Sequence, residues 1–211
     1  MTQDQNPSGN GLFDAEMLKQ LHAVFERMES PLLLKLCLDE RDVSNELRTY
    51  MEELTALTEK LSVEITNEKS EESPCVYVYK ADGTPTGLAF HGVPGGHEFT
   101  SFVLGLYNAA GTGQALDAGV LEKIQRIDCH IDMKILVSLS CTMCPDLVVA
   151  AQKMASLNKK ITAEVFDLNH FPNLRDKYHV MSVPCLVIND GEQISFGKKN
   201  ILQLLEIIDS L

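Results

Sequence analysis

The chain has 211 residues, and its thirty acidic against eighteen basic side chains give a formal charge of −12. That length holds one large domain or two small ones with cores of their own, and the acidity repels phosphate backbones and anionic lipid. No nucleic-acid role and no membrane-surface role is expected. The start, Met1 to Asn10, is polar and lacks the basic and apolar regions of a signal peptide. Residues 1–12 therefore read as a disordered tail, and the expected location is cytoplasmic. The apolar run from Leu32 to Leu38 is interrupted by Lys35 and ends at Asp39-Glu40, far short of the ~20 residues that span a bilayer.

Compared with itself at an offset of one hundred residues, the chain repeats its periodic pattern without a gap over about fifty positions. Leu18, Leu21 and Val24 fall on Ala118, Leu121 and Ile124, so each copy opens with an amphipathic helix. Leu34 to Cys37 falls on Lys134 to Val137 as a short apolar strand. Leu47, Leu54 and Leu57 then fall on Leu147, Met154 and Leu157 as a second helix, and Ser62 to Thr66 falls on Thr162 to Phe166 as another strand. Register slips by about ten residues before Pro74 to Val78 meets Pro184 to Ile188; both runs are β-rich and both reach an Asp-Gly turn, at Asp82-Gly83 and Asp190-Gly191. A last helix follows each, from His97 to about Asn108 and from about Asn200 to Ile208.

A helix joining two early strands implies a parallel pair, and a proline-initiated hairpin adds antiparallel strands. The thioredoxin fold has this order. The predicted class is α/β: two tandem thioredoxin-like folds, mixed sheets with flanking helices, packed together. Residues 13–112 form the first unit and 113–211 the second, joined at Gly111-Thr112-Gly113, too short for a loose tether.

Ser138-Leu139-Ser140-Cys141-Thr142-Met143-Cys144-Pro145-Asp146 places a CxxC pair between the strand and the second helix of the second copy. Only the thiolate is nucleophilic, so the pKa of the attacking cysteine has to fall. A helix starting near Cys144, with Pro145 in its first turn and Asp146 at the positive end of its dipole, supplies unpaired N–H groups to a Cys141 anion. Cys141 is expected to attack and Cys144 to resolve the mixed disulfide. Opposite them, Ser182-Val183-Pro184-Cys185 sits where a thioredoxin unit places the loop facing the pair. A cis Val183-Pro184 bond is expected there, leaving the Val183 backbone to pair with an incoming peptide.

A CxxC can also be half of a metal site, but no second pair and no histidine cluster stands at ligand spacing, and Cys185 is the sole candidate third ligand. No metal is expected. Of the six cysteines, Cys37, Cys75 and Cys129 lie in or beside apolar strand-like runs, as small hydrophobes do. His22, His91, His130, His170 and His179 have no motif around them and read as surface or capping residues. At the offset of one hundred, Cys141 falls on Arg41 and Cys144 on Ser44; the first copy has no redox pair, although it keeps Pro74. It is either a scaffold only, or it builds a wall of the second copy's site or a docking surface. Thioredoxins commonly hold a buried acid six residues before the first thiol, where this chain has Ile135. Glu98, at a helix start behind Gly95-Gly96-His97, is a candidate substitute that tunes the thiol pKa from the other copy, and a helix-capping role accounts for the same residue.

Ser138 to Cys141, Cys144 to Asp146, Met181 to Pro184 and Gly96 to Ser101, set on a double thioredoxin frame, together resemble the N-terminal domain of the alkyl hydroperoxide reductase flavoprotein subunit. The resemblance covers nearly all the chain from about Phe13. It implies a thiol-disulfide oxidoreductase whose Cys141-Cys144 pair takes electrons from a thioredoxin-reductase-like flavoprotein and passes them to a peroxiredoxin that destroys hydroperoxides. That family usually has His-Asn between the cysteines; here Thr142-Met143 removes a candidate cation. No strand-GxGxxG-helix fingerprint occurs, so the chain itself is expected to bind neither flavin nor NAD(P)H. Leu202 to Leu211 reads as a finished helix, which favours a stand-alone shuttle reduced in trans over a fragment. The alternatives are a general protein disulfide reductase or isomerase, disfavoured by the single pair, and a redox-inert metal-binding scaffold.

Overall fold

The computed structural model describes residues 11–66 and 70–211. The first ten residues of the expected tail lie outside that range; Leu12 is exposed, and Phe13 is already buried against the rings of Tyr50 and Phe99.

The elements follow in the order helix α1 (Ala15–Arg27), strand β1 (Leu32–Cys37), α2 (Asp42–Thr55), β2 (Leu61–Thr66), β3 (Cys75–Lys80), β4 (Pro85–His91) and α3 (Glu98–Ala109). The second series is α4 (Ala118–Arg126), β5 (Ile131–Val137), α5 (Cys144–Leu157), β6 (Ile161–Asp167), the short α6 (Asn173–Lys177), β7 (Cys185–Ile188), β8 (Gln193–Phe196) and α7 (Ile201–Ile208). Local chemistry fixes the boundaries. Asp14 caps α1 through Met17 N at 2.9 Å, Asp117 caps α4, and Asn200 with Gln203 closes a reciprocal capping box on α7. The ten-residue slip in register coincides with α6, which has no counterpart among the described residues of the first series.

The eight strands among the described residues form one sheet in the order β2-β1-β3-β4-β6-β5-β7-β8. The copies therefore share a hydrogen-bonded seam, with β4 running parallel to β6 from Leu88 opposite Ala163 to His91 opposite Phe166. β1, β2, β4, β5 and β6 all point the same way, so the turns after β1 and β5, where the two copies diverge in chemistry, lie at the same end of the strands. Four strand spacings separate them, about 19 Å.

Alternation along the strands sends side chains to two faces. Leu34, Leu36, Phe90, Ile135, Val137, Ala163 and Val165 join the apolar faces of every helix except α6 in a large core. On the other face Leu136, Phe166 and Val187 pack with Leu168, Phe171, Leu174 and Tyr178 around α6. Among the described residues, no helix is long and apolar enough to cross a membrane.

The junction is stapled rather than slack. Gln114 N donates to Asn108 Oδ1 at 2.8 Å, Thr112 N donates to Glu29 Oε1 at 3.1 Å, and the buried Lys153 of α5 reaches the Thr112 carbonyl at 3.0 Å.

Candidate functional site

Strand β5 ends at Val137 and the chain turns through Ser138 to Cys141, whose N–H donates back to the Ser138 carbonyl at 2.9 Å. Cys141 and Cys144 are joined as a disulfide with Cα atoms 5.6 Å apart. Cys144 is the first residue of α5 and is wholly buried in the larger core, whereas Cys141, just ahead of the helix, is partly exposed. Pro145 occupies the first turn, where it forfeits no helical hydrogen bond. Asp146 forms a solvent-exposed pair with Lys198 at 3.4 Å, which contributes little.

The Val183-Pro184 bond is cis, as expected, and so is Ser73-Pro74 in the first copy. Pro184 is buried and its carbonyl accepts from Gly197 N at 2.9 Å; Val183 is half-buried and packs against both cores. Cys185 departs from its expected place. It heads β7 with its side chain in the α6-side core, on the opposite face from Cys144, and burial pushes its thiol up to about 11. It cannot complete a metal site with the CxxC, which leaves the scaffold reading without its third ligand.

Two other expectations need correction. Cys129 is exposed, because it falls in the turn between α4 and β5 rather than in the strand. His91 is wholly buried: as the last residue of β4 it stacks on Phe166, with centroids 3.8 Å apart.

Glu98 is the first residue of α3 and has no exposed surface. Its Oε2 accepts from the Ser101 hydroxyl, while Oε1 has no hydrogen-bond partner among the described residues. Its carboxylate takes no N–H of the helix start, so capping does not account for its position. Burial, opposed by the Ser101 bond, pushes its carboxyl up to about 7. Ile135, where thioredoxins hold their acid, is fully buried and apolar. The start of α3 is pinned to the turn before the redox pair: His97 N donates to the Leu139 carbonyl at 3.0 Å, and Gly96 has φ +54°. A Cβ on Gly96 would fall 2.6 Å from that same oxygen. The first copy thus builds a wall beside the second copy's pair.

The first-copy position that corresponds to Cys141 also has a task. Arg41 donates from Nε to Asp39 at 2.8 Å, from Nη1 to the His170 carbonyl at 2.9 Å and from Nη2 to the Ser73 carbonyl, and its guanidinium lies 5.4 Å from the Phe171 ring centroid. Where one copy carries a nucleophile, the other carries a clamp between copies. Met143, between the two cysteines, and Met181, three residues before Pro184, are 48% and 81% exposed, which helical or strand periodicity does not reveal because both lie outside helices and strands.

Two thiols in reach of disulfide exchange at a helix start, opposite a cis-proline, on two fused thioredoxin-like units define a thiol-disulfide oxidoreductase of the thioredoxin class. Comparison with known proteins agrees: a thioredoxin domain family matches residues 131–208. The N-terminal domain of the alkyl hydroperoxide reductase AhpF from Enterococcus faecalis superimposes with a TM-score of 0.86 at 34% identity, over 92% of this chain and 99% of that one. The AhpF subunit of the alkyl hydroperoxide reductase of Pseudomonas aeruginosa is 34% identical over 199 residues, 94% of this chain and 38% of the relative. The chain belongs to the AhpF family of alkyl hydroperoxide reductase subunits and corresponds to the N-terminal domain of its members. It spans about 38% of the length of curated relatives such as those of Pseudomonas aeruginosa and Escherichia coli. A protein disulfide oxidoreductase from Aeropyrum pernix shares the fold, with a TM-score of 0.78 at 18% identity.

Proposed function

We propose that the Cys141-Cys144 pair relays electrons from a thioredoxin-reductase-like flavoprotein to the disulfide of a peroxiredoxin. In this reading residues 113–211 carry the chemistry and residues 13–112 support it. The observation that carries the proposal is the unequal exposure of the two sulfurs: Cys141 is accessible ahead of α5, and Cys144 is sealed in its first turn. Kinship with the AhpF subunits of alkyl hydroperoxide reductases supports the choice of partners.

In the reduced protein, the Cys141 thiolate attacks one sulfur of the partner's disulfide. The partner's S–S bond breaks, a Cys141-partner bond forms, and the departing thiolate takes up a proton. Cys144 then gives up its proton and attacks Cys141, closing the intramolecular disulfide and releasing the partner as a dithiol. Two electrons leave the chain per turnover, and a dithiol of the reductase restores them by the reverse exchange. The helix start lowers the cost of the Cys141 anion, and Glu98 acts as the nearby proton acceptor. The Val183 backbone beside Pro184 pairs with the partner's strand, while the exposed Met143 and Met181 offer it deformable apolar contacts. Flavin and nicotinamide chemistry belongs to the reductase. Four cysteines outside the disulfide, Cys37, Cys75, Cys129 and Cys185, accord with a reducing, cytoplasmic setting.

The test supplies NAD(P)H, a thioredoxin-reductase-type flavoprotein and a peroxiredoxin, and follows NAD(P)H oxidation after hydroperoxide is added. Wild type should turn over and Cys141→Ser should not. Cys144→Ser should accumulate a mixed disulfide with the peroxiredoxin, visible by non-reducing electrophoresis. A rate that survives Cys141→Ser defeats the reading.

A further inference from the structure

His91 sits at the seam between the copies with both ring nitrogens engaged: Nδ1 lies 2.7 Å from the Glu72 main-chain oxygen, and Nε2 lies 3.0 Å from Glu164 Oε2 on β6. A carbonyl only accepts, so Nδ1 donates to it and Nε2 is the ring atom left facing the Glu164 carboxylate. Either a second ring proton or a cation can join Nε2 to that carboxylate. The ring has no freedom to turn away. It is stacked on Phe166 at an interplanar angle of 8° and held edge-on by Tyr77 and Phe171.

The Glu72 carboxylate lies close by, and one ligand atom each of Glu72, His91 and Glu164 all lie within 4.8 Å of one another. One cation is already drawn there. Lys134 Nζ approaches Glu72 Oε1 at 2.6 Å, one ammonium set against two carboxylates. The cluster is separate from the redox site: His91 and Glu164 project from the α6 side of the sheet, whereas Cys144 is packed on the other side.

We propose that Glu72, His91 and Glu164 form a binding site for a divalent transition-metal ion, with Lys134 as its internal competitor. One imidazole and two carboxylates suit Zn²⁺, Mn²⁺ or Fe²⁺, and the bond from Nδ1–H to a carbonyl is the outer contact that orients metal-binding histidines. Lys134, with its flexible stem and a side chain 13% exposed, swings outward when the ion enters. Because Glu72 and His91 come from the first copy and Glu164 from the second, the ion ties the copies together across the seam.

Cobalt(II) titrated into the Cys141-Cys144 disulfide form tests this, since the redox thiols are then silent. One equivalent should bind with weak visible d–d bands and no intense sulfur-to-cobalt charge-transfer band, and Zn²⁺ should displace it. Glu72→Gln changes a partly exposed loop residue and should weaken binding about tenfold or more with folding intact. Lys134→Met should tighten it, which adventitious binding to an acidic surface would not do. The proposal is overturned by the absence of saturable binding below millimolar cobalt, by a titration indifferent to Glu72→Gln and Glu164→Gln, or by a charge-transfer band that assigns the ion to cysteine. Nitrogen chemical shifts showing His91 protonated on both nitrogens throughout the titration overturn it as well.

Discussion

Glu98 combines a side chain without exposed surface, one oxygen shared with Ser101 and one with no partner among the described residues. Its carboxyl titrates at about 7 in the fold against an ordinary value of 4.5. The native state therefore holds the proton more tightly than the unfolded chain does, so burial costs nothing below about pH 4.5. The cost grows as pH rises and is complete above about pH 7. At about 1.4 kcal/mol per unit this is on the order of 3 kcal/mol. Glu98→Gln should match wild type in urea unfolding near pH 4 and exceed it by up to that amount at pH 8. A pH-independent difference would mean that the carboxylate is solvated or paired. The same substitution should move the Cys141 thiolate titration, followed by alkylation rate, and an unchanged titration removes Glu98 from the redox site. The sequence already marks Glu98 as standing at a helix start beside glycines, but not that its position is dry. Burial depends on α3 packing along α5 from a different copy, and no local pattern encodes that.

Helices and strands were largely legible because each is written in a local period, and the offset of one hundred supplied the first helices and strands of each copy twice, though not α6. The start of α5 at Cys144 follows from Pro145, and the cis bond at Pro184 from its place opposite the pair. Contacts between elements were not legible. Arg41 reaches the His170 carbonyl across 129 residues of sequence, and its place opposite a cysteine in the repeat looked like an absence alone. Cys185 looked available because its neighbour faces the active pair, yet strand alternation turns its side chain to the other core. The attachment of α3 to the Leu139 turn makes a specific demand on Gly96. Gly96→Ala must adopt a left-handed conformation and push a methyl group against a backbone oxygen already committed to His97 N. The strain of the conformation alone is about 1–2 kcal/mol, so thermal unfolding should show at least that loss. Disulfide exchange should slow as the turn before Cys141 shifts; a variant as stable and as fast as wild type would show that the contact is dispensable.

Across the whole molecule the governing feature is the seam. β6 is an interior strand only because β4 covers it, and the paired stretch includes the buried Leu88, Phe90, Ala163 and Val165. Residues 113–211 produced alone would present β6 as a bare apolar edge while α5 loses its α3 wall, so they should dimerise or aggregate in size-exclusion chromatography. A well-behaved monomer with normal disulfide exchange would contradict this. The seam also bears on how such a chain can change over evolutionary time. Tandem domains joined by a loose linker can be exchanged, lost or recombined singly, each carrying its own competence. Here one copy has no nucleophile at the corresponding position, supplies a helix to its sibling's site and shares its sheet with it. The two halves can now be inherited only together, and a recombination event that swaps either would have to bring a matching edge, wall and clamp with it.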